Sequence, residues 1–146
     1  MTKFYCCFQG PVVIENPQLG SFADYFLDYT PEKWMDGSGD GVFSFVSDLG
    51  DSCNLSILES REYGISVRYN IRKPGERRGE EYYSVSDLKK INNFEDVGDD
   101  QFAPVGSFLP PQNAWLALED FFNSPLFKSD RIQWINSDEI SWPDEC

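Results

Sequence analysis

From Tyr63 to Ile71 the chain alternates strictly: Ile65, Val67, Tyr69 and Ile71 are apolar, while Ser66, Arg68 and Asn70 are polar. Successive side chains of a strand point to opposite faces, so a period of two calls for a sheet with one buried and one wet face. Val42 to Ser47 and Leu55 to Glu59 are also rich in β-branched and apolar residues, and the three runs together read as an antiparallel meander. A polar loop, Lys73 to Gly79, leads to a further strand over Glu81 to Val85.

The N-terminus reads as a hairpin. Lys3 to Phe8 and Val12 to Ile14 are short strands around the turn Gln9-Gly10-Pro11. Asn16-Pro17 then supplies a helix cap with proline in the first turn, and Leu19, Phe22, Phe26 and Leu27 follow at helical spacing as far as Tyr29-Thr30-Pro31. The turn Met35 to Gly41 feeds the first strand of the meander. Asp87 to Ile91 fits one helical turn, Asn92 to Asp100 an acidic loop, and Phe102 to Phe108 a strand. Pro110-Pro111 opens the longest helix, where Ala114, Trp115, Leu118, Phe121 and Phe122 form an apolar stripe, Glu119-Asp120 face outward, and Asn123-Ser124-Pro125 stops it. Ile132 to Ile135 is a closing strand, and Ser141-Trp142-Pro143 an anchored tail. The expectation is one α+β domain over residues 1–146: an antiparallel sheet of about five to seven strands packed against two short-to-medium helices.

Charge narrows the function. The chain carries 25 acids against 12 bases, a net charge of -13, and no histidine. Nucleic-acid ligands depend on Lys and Arg to neutralise phosphates, so a basic partner is the natural complement, although excess acid also serves plain solubility. The acids sit at both ends of the sequence. Residues 1–60 hold nine acids and two bases, residues 61–90 five and eight, and residues 91–146 eleven and two. The basic middle, Arg68, Arg72, Lys73, Arg77 and Arg78, is interleaved with Glu76, Glu80 and Glu81 and reads as a solvated hairpin laced with ion pairs.

Cys6, Cys7, Cys53 and Cys146 include no C-x-x-C pair, and without histidine they make no zinc site. Reduced thiols, no N-terminal apolar leader and no bilayer-length apolar run predict a cytoplasmic protein. Asp36 to Gly41 matches the opening of a calcium loop, but Ser47 stands where the bidentate Glu belongs, so a solvated turn is expected and no metal. Without histidine the common nucleophile-base pairs are missing, and the neighbouring carboxylate pairs diverge along strands and helices. No phosphate loop or dinucleotide fingerprint occurs. No cofactor is expected and no enzymatic activity. Core packing is the default for Trp115, Phe121, Phe122 and Trp134, whereas Trp34 and Trp142 border turns, where an indole could anchor a protein interface.

The segment from Phe108 to Trp134, with its proline-opened helix, Trp115, Leu118, the Phe121-Phe122 pair and then Ile132-Gln133-Trp134, resembles the C-terminal half of the first-numbered family of immunity proteins from bacterial polymorphic toxin systems. The strand Val42 to Val46 after a glycine-rich turn, with the meander that follows, extends the likeness over residues 34–142. The resemblance implies neutralisation of a cognate toxin, in this family often a nucleic-acid deaminase, by tight protein binding, and it assigns no contact residues. Charge supplies Glu95, Asp96, Asp99 and Asp100, with Asp36 and Asp40, against the toxin's basic substrate groove, and Trp34, as an indole beside a turn, completes the expected partner-facing set. An acidic nucleic-acid mimic or adaptor is the alternative, followed by an enzyme using a Lys or carboxylate base in a deep pocket.

Overall fold

A computed structural model describes residues 2–77, 79–96 and 102–141. Strand β1 (Lys3–Phe8) turns into the short edge strand β2 (Val13–Glu15). A 3-10 turn (Leu19–Phe22) runs into α1 (Ala23–Phe26), and α2 (Pro31–Met35) follows. The meander is β3 (Asp40–Val46), β4 (Ser52–Ser60), β5 (Gly64–Arg72) and β6 (Glu80–Val85). Next come a 3-10 turn (Leu88–Lys90), β7 (Phe94–Asp96), β8 (Phe102–Pro104), β9 (Phe108–Leu109), α3 (Pro111–Asn123) and β10 (Gln133–Asn136).

The fold is α+β. Its eight-stranded sheet runs β10-β6-β5-β4-β3-β1-β2, with β9 paired to β5, and every pairing is antiparallel. The count slightly exceeds the expected range because the short β9 adds itself to β5 beside the meander. The apolar residues on one face of β1, β3, β4 and β5, including Cys6, Phe43, Leu55, Ile57, Val67 and Tyr69, pack with α1, α2 and α3 into one core. Phe122 sits edge-on against Phe4 at 4.9 Å, and Phe26 meets Trp115 at 5.7 Å, so α1 and α3 are locked through aromatic rings. The Tyr69 hydroxyl donates to the Pro125 carbonyl at 2.7 Å and fixes the chain leaving α3.

Four expectations change. The first helix starts after Gln18, which stands at the N-cap position without a side-chain cap, while Asn16 takes φ 51 and does not lead into it, and the helix breaks into the 3-10 turn and α1. Pro31 starts a helix where it was expected to stop one, since its fixed φ suits a first helical position. The acidic stretch after Asn93 begins as a strand: Phe94 pairs with Pro104 and Asp96 with Phe102, giving a separate two-stranded ribbon. The expected strand Phe102 to Phe108 is cut by a 3-10 turn at Val105–Ser107, where Gly106 lies so close to Asp87 that a Cβ would meet its carbonyl oxygen at 2.1 Å.

That detour lays residues 86–96 and 102–107 over part of the second sheet face. Tyr83, Val85, Ile91 and Ile140 form a small second cluster there, with Phe94 and Ile135 against it. Among the described residues no helix covers the rest of this face, across β2, β1, β3, β4 and β5.

Candidate functional site: an acidic sheet end beside an open sheet face

The turn between α2 and β3 is built by Gln9. Its side-chain amide donates to the Lys33 carbonyl at 3.3 Å, its side-chain oxygen accepts from the Gly39 amide at 2.7 Å, and its backbone amide donates to the Asp40 carbonyl at 2.9 Å. Gly39 adopts φ 77, which only glycine takes without strain. Asp36 is the exposed C-cap of α2 and Asp40 the first residue of β3, so the clamp fixes both carboxylates at one end of the sheet. The Ser38 hydroxyl donates to the Asp40 carboxylate.

Other acids arrive at the same end from distant sequence. The Glu59 amide donates to the Gly39 carbonyl at 2.9 Å, which places the end of β4 against this turn. The Glu59 carboxylate accepts from the Tyr29 hydroxyl at 2.6 Å. Burial pushes the Glu59 carboxyl up, against the pull of Tyr29 and Arg61, and the same burial pushes the Tyr29 hydroxyl well above its usual value. Glu32 of α2 lies 3.4 Å from Arg61, and exposed Glu62 follows in the β4-β5 turn. Sequence reasoning missed Glu32, Glu59 and Glu62. The signal for Glu59 was present: it is the acid that ends the inward-facing series Cys53, Leu55, Ile57.

The expected partner-facing residues thus separate. Asp36 and Asp40 come together with these new acids. Glu95 and Asp96 lie on β7, and Ala103 of its partner β8 lines a cavity of about 270 Å³ with Asp40, Val42 and Arg68, so the ribbon adjoins the acidic end across the open face. Asp99, Asp100 and Trp142 lie outside the described residues. Trp34 is corrected: it is 1% exposed, its indole N–H donates to the Tyr25 carbonyl at 3.0 Å, and its ring packs against Phe8 and Phe26 at 5.3 and 5.6 Å. It is a core residue, drawn inward because α2 folds back onto β1.

The open face is polar in its centre. Register places Ser44, Asn54, Asn70 and Glu81 side by side across four strands. The Ser44 hydroxyl donates to Asn54 at 2.7 Å and the Asn70 amide to Glu81 at 2.9 Å. A cavity of about 570 Å³ opens beside this row, lined also by Ser52, Arg72 and Asn136. Arg68 stands one row over, with Glu81 at 4.0 Å and the Ser56 hydroxyl accepting at 3.4 Å. The basic hairpin is therefore engaged at its root, while Arg78 lies outside the described residues. Glu59, whose carboxyl is shifted, lines neither the larger cavity nor the smaller one.

Comparisons with protein-family models, with curated proteins and with solved structures find no match to this chain. Functional inference rests on the fold and its charge. Among the described residues no helix is long and apolar enough to cross a membrane.

Proposed function

We propose that this chain is an immunity protein, which binds a cognate bacterial toxin domain that acts on nucleic acid, a deaminase being one such toxin, and blocks its basic substrate site. The observation that carries this reading is the convergence of Glu32, Asp36, Asp40, Glu59 and Glu62 at one end of the sheet, from segments up to thirty residues apart. A toxin that grips nucleic acid needs a cationic groove. An inhibitor that concentrates carboxylates on a rigid sheet end is steered to that groove and repelled by acidic bystanders. The chain itself then does no chemistry and holds no cofactor; its action is occlusion, in the cytoplasm, where Cys6, Cys7 and Cys53 stay free thiols.

The test is co-expression with the C-terminal toxin domain encoded beside this gene. Growth should be restored through a complex whose affinity falls with salt. The triple variant D36K/D40K/E62K should weaken the complex by about tenfold or more and flatten its salt dependence. Unchanged affinity and salt slope would remove the acidic end from the interface. A neighbouring domain that is neither toxic nor bound would leave the mimic or adaptor as the better account.

A further inference from the structure

One half of the open sheet face departs from the pattern of a wet face. On β4 and β5 the outward positions are polar apart from Leu58, as in Asn54, Ser56 and Arg68, but on β2, β1 and β3 they include Val13, Tyr5, Cys7, Val42 and Val46. Register sets Val13 opposite Cys7 and Cys7 opposite Val42, so these three side chains form a row across three strands. The row is in water: Val13 is 57% and Val42 39% exposed. It runs between two hollows, one of about 450 Å³ lined by Tyr5, Val13 and Val46, the other the cavity of about 270 Å³ beside Val42. Exposed apolar side chains that adjoin one another, with polar residues around them, have the anatomy of an interface centre.

The rim has a sign. Asp40 precedes Val42 by two residues and Glu15 follows Val13 by two, so both carboxylates share the face with the row. We propose that the Val13–Cys7–Val42 row is the apolar centre of the surface that docks the basic toxin domain, with Asp40 and Glu15 as its charged rim. The identity of the occupant rests on the immunity reading. A second copy fits worse, because it would bring like carboxylates and a charge of -13 against another -13. Edge pairing between copies is also poorly served, since β2 has three residues and Pro11, just before it, lacks an N–H.

Cys7 gives a direct readout. Alkylation by iodoacetamide, followed at peptide resolution, should modify Cys7 in the free protein and spare Cys6 and Cys53, which are 0% exposed. The toxin domain should slow Cys7 modification by about tenfold or more, and V13T/V42T, which keeps side-chain shape and β-branching, should weaken toxin binding by about tenfold at an unchanged urea midpoint. A bound toxin that leaves Cys7 as reactive as before overturns this surface alone and leaves the immunity reading standing. A toxin that does not bind at all overturns both. Concentration-dependent protection of Cys7 in the free protein, with a dimer by sedimentation velocity, overturns the occupant in favour of a second copy.

Discussion

Replacing Ser84 by alanine tests how the sheet changes partners at β5. The first residues of β5, Ile65 and Ser66, pair with β9, whereas Arg68 to Ile71 pair with β6, and Val67 stands at the change-over. Its amide is taken by the Ser84 hydroxyl at 3.0 Å, and that hydroxyl donates onward to the Ser107 carbonyl at 2.6 Å. Val67, Ser84 and Ser107 are each 0% exposed, so S84A strands one donor and one acceptor with no water to replace the serine. An unsatisfied buried group costs about 1–3 kcal/mol, which puts S84A at about 2–4 kcal/mol once the smaller cost of burying alanine in place of serine is counted. S66A is the control. The Ser107 hydroxyl donates to the Pro104 carbonyl at 2.6 Å, so Ser66 is the donor in its 2.7 Å contact with Ser107, and its loss strands no donor. It should cost about 1 kcal/mol. Urea unfolding followed by tryptophan fluorescence measures both, and hydrogen exchange at the Val67 amide should accelerate in S84A alone. If S84A lies within about 0.5 kcal/mol of wild type, or S66A costs as much, Ser84 does not carry the partner change.

Trp34 separates core from interface: W34A should cost about 3–5 kcal/mol in urea unfolding, while W34F, still folded, should bind toxin with unchanged affinity. Glu59 has a folded pKa raised above its unfolded value, so its favourable contribution is complete below the unfolded pKa and fades as pH rises through the folded one. E59Q should therefore gain stability over wild type at neutral pH, and the gain should shrink as pH falls into the ordinary glutamate range, as denaturation across pH will show. Asp120 has the opposite sign: Arg131, donating to it at 2.9 Å, holds its carboxyl below the usual range, so its contribution is present above the unfolded pKa and lost as pH falls through the folded one. In R131A the Asp120 carboxyl should titrate nearer its ordinary value by NMR.

Elements whose burial is periodic were legible in the sequence. Alternation at Ile65 to Ile71 gave β5 to within a residue, and the stripe from Ala114 to Phe122 gave α3, because each is set by one face meeting one core. What escaped depends on contacts between distant segments. Nothing local marks Gln9 as the clamp of the Asp36–Asp40 turn, since its role comes from three hydrogen bonds made thirty residues away or nearly so. Trp34 beside a glycine-rich turn resembles an exposed indole until α2 folds it against Phe8. β7 and β9 are short enough that their pairing, and not their composition, defines them. Asp36 and Asp40 were visible as candidates from charge alone, whereas Glu32 and Glu62 became so only when the β4-β5 turn was placed beside α2.

The aromatic core lies on the helix-facing side of the sheet, whereas the residues proposed for recognition lie at its acidic end and on the opposite face, so the functional reading is separable by mutation. The inward face commits Phe4, Phe8, Phe43 and Tyr69 to aromatic contacts with the helices, so changes there act on folding. The acidic end is held by backbone atoms and Gln9, so Asp36 and Glu62 can be reversed without removing a bond of the scaffold. Glu59 is the exception, a half-buried carboxylate tied to Tyr29 that contributes charge to the end while resting on the core side of β4. Reversal at Asp36 and Glu62 should therefore change association rate and salt dependence, the two quantities that surface charge controls, and leave the unfolding midpoint in place. A charge-reversed protein that unfolds earlier would mean that these acids serve the fold, and the electrostatic account of binding would lose its main support.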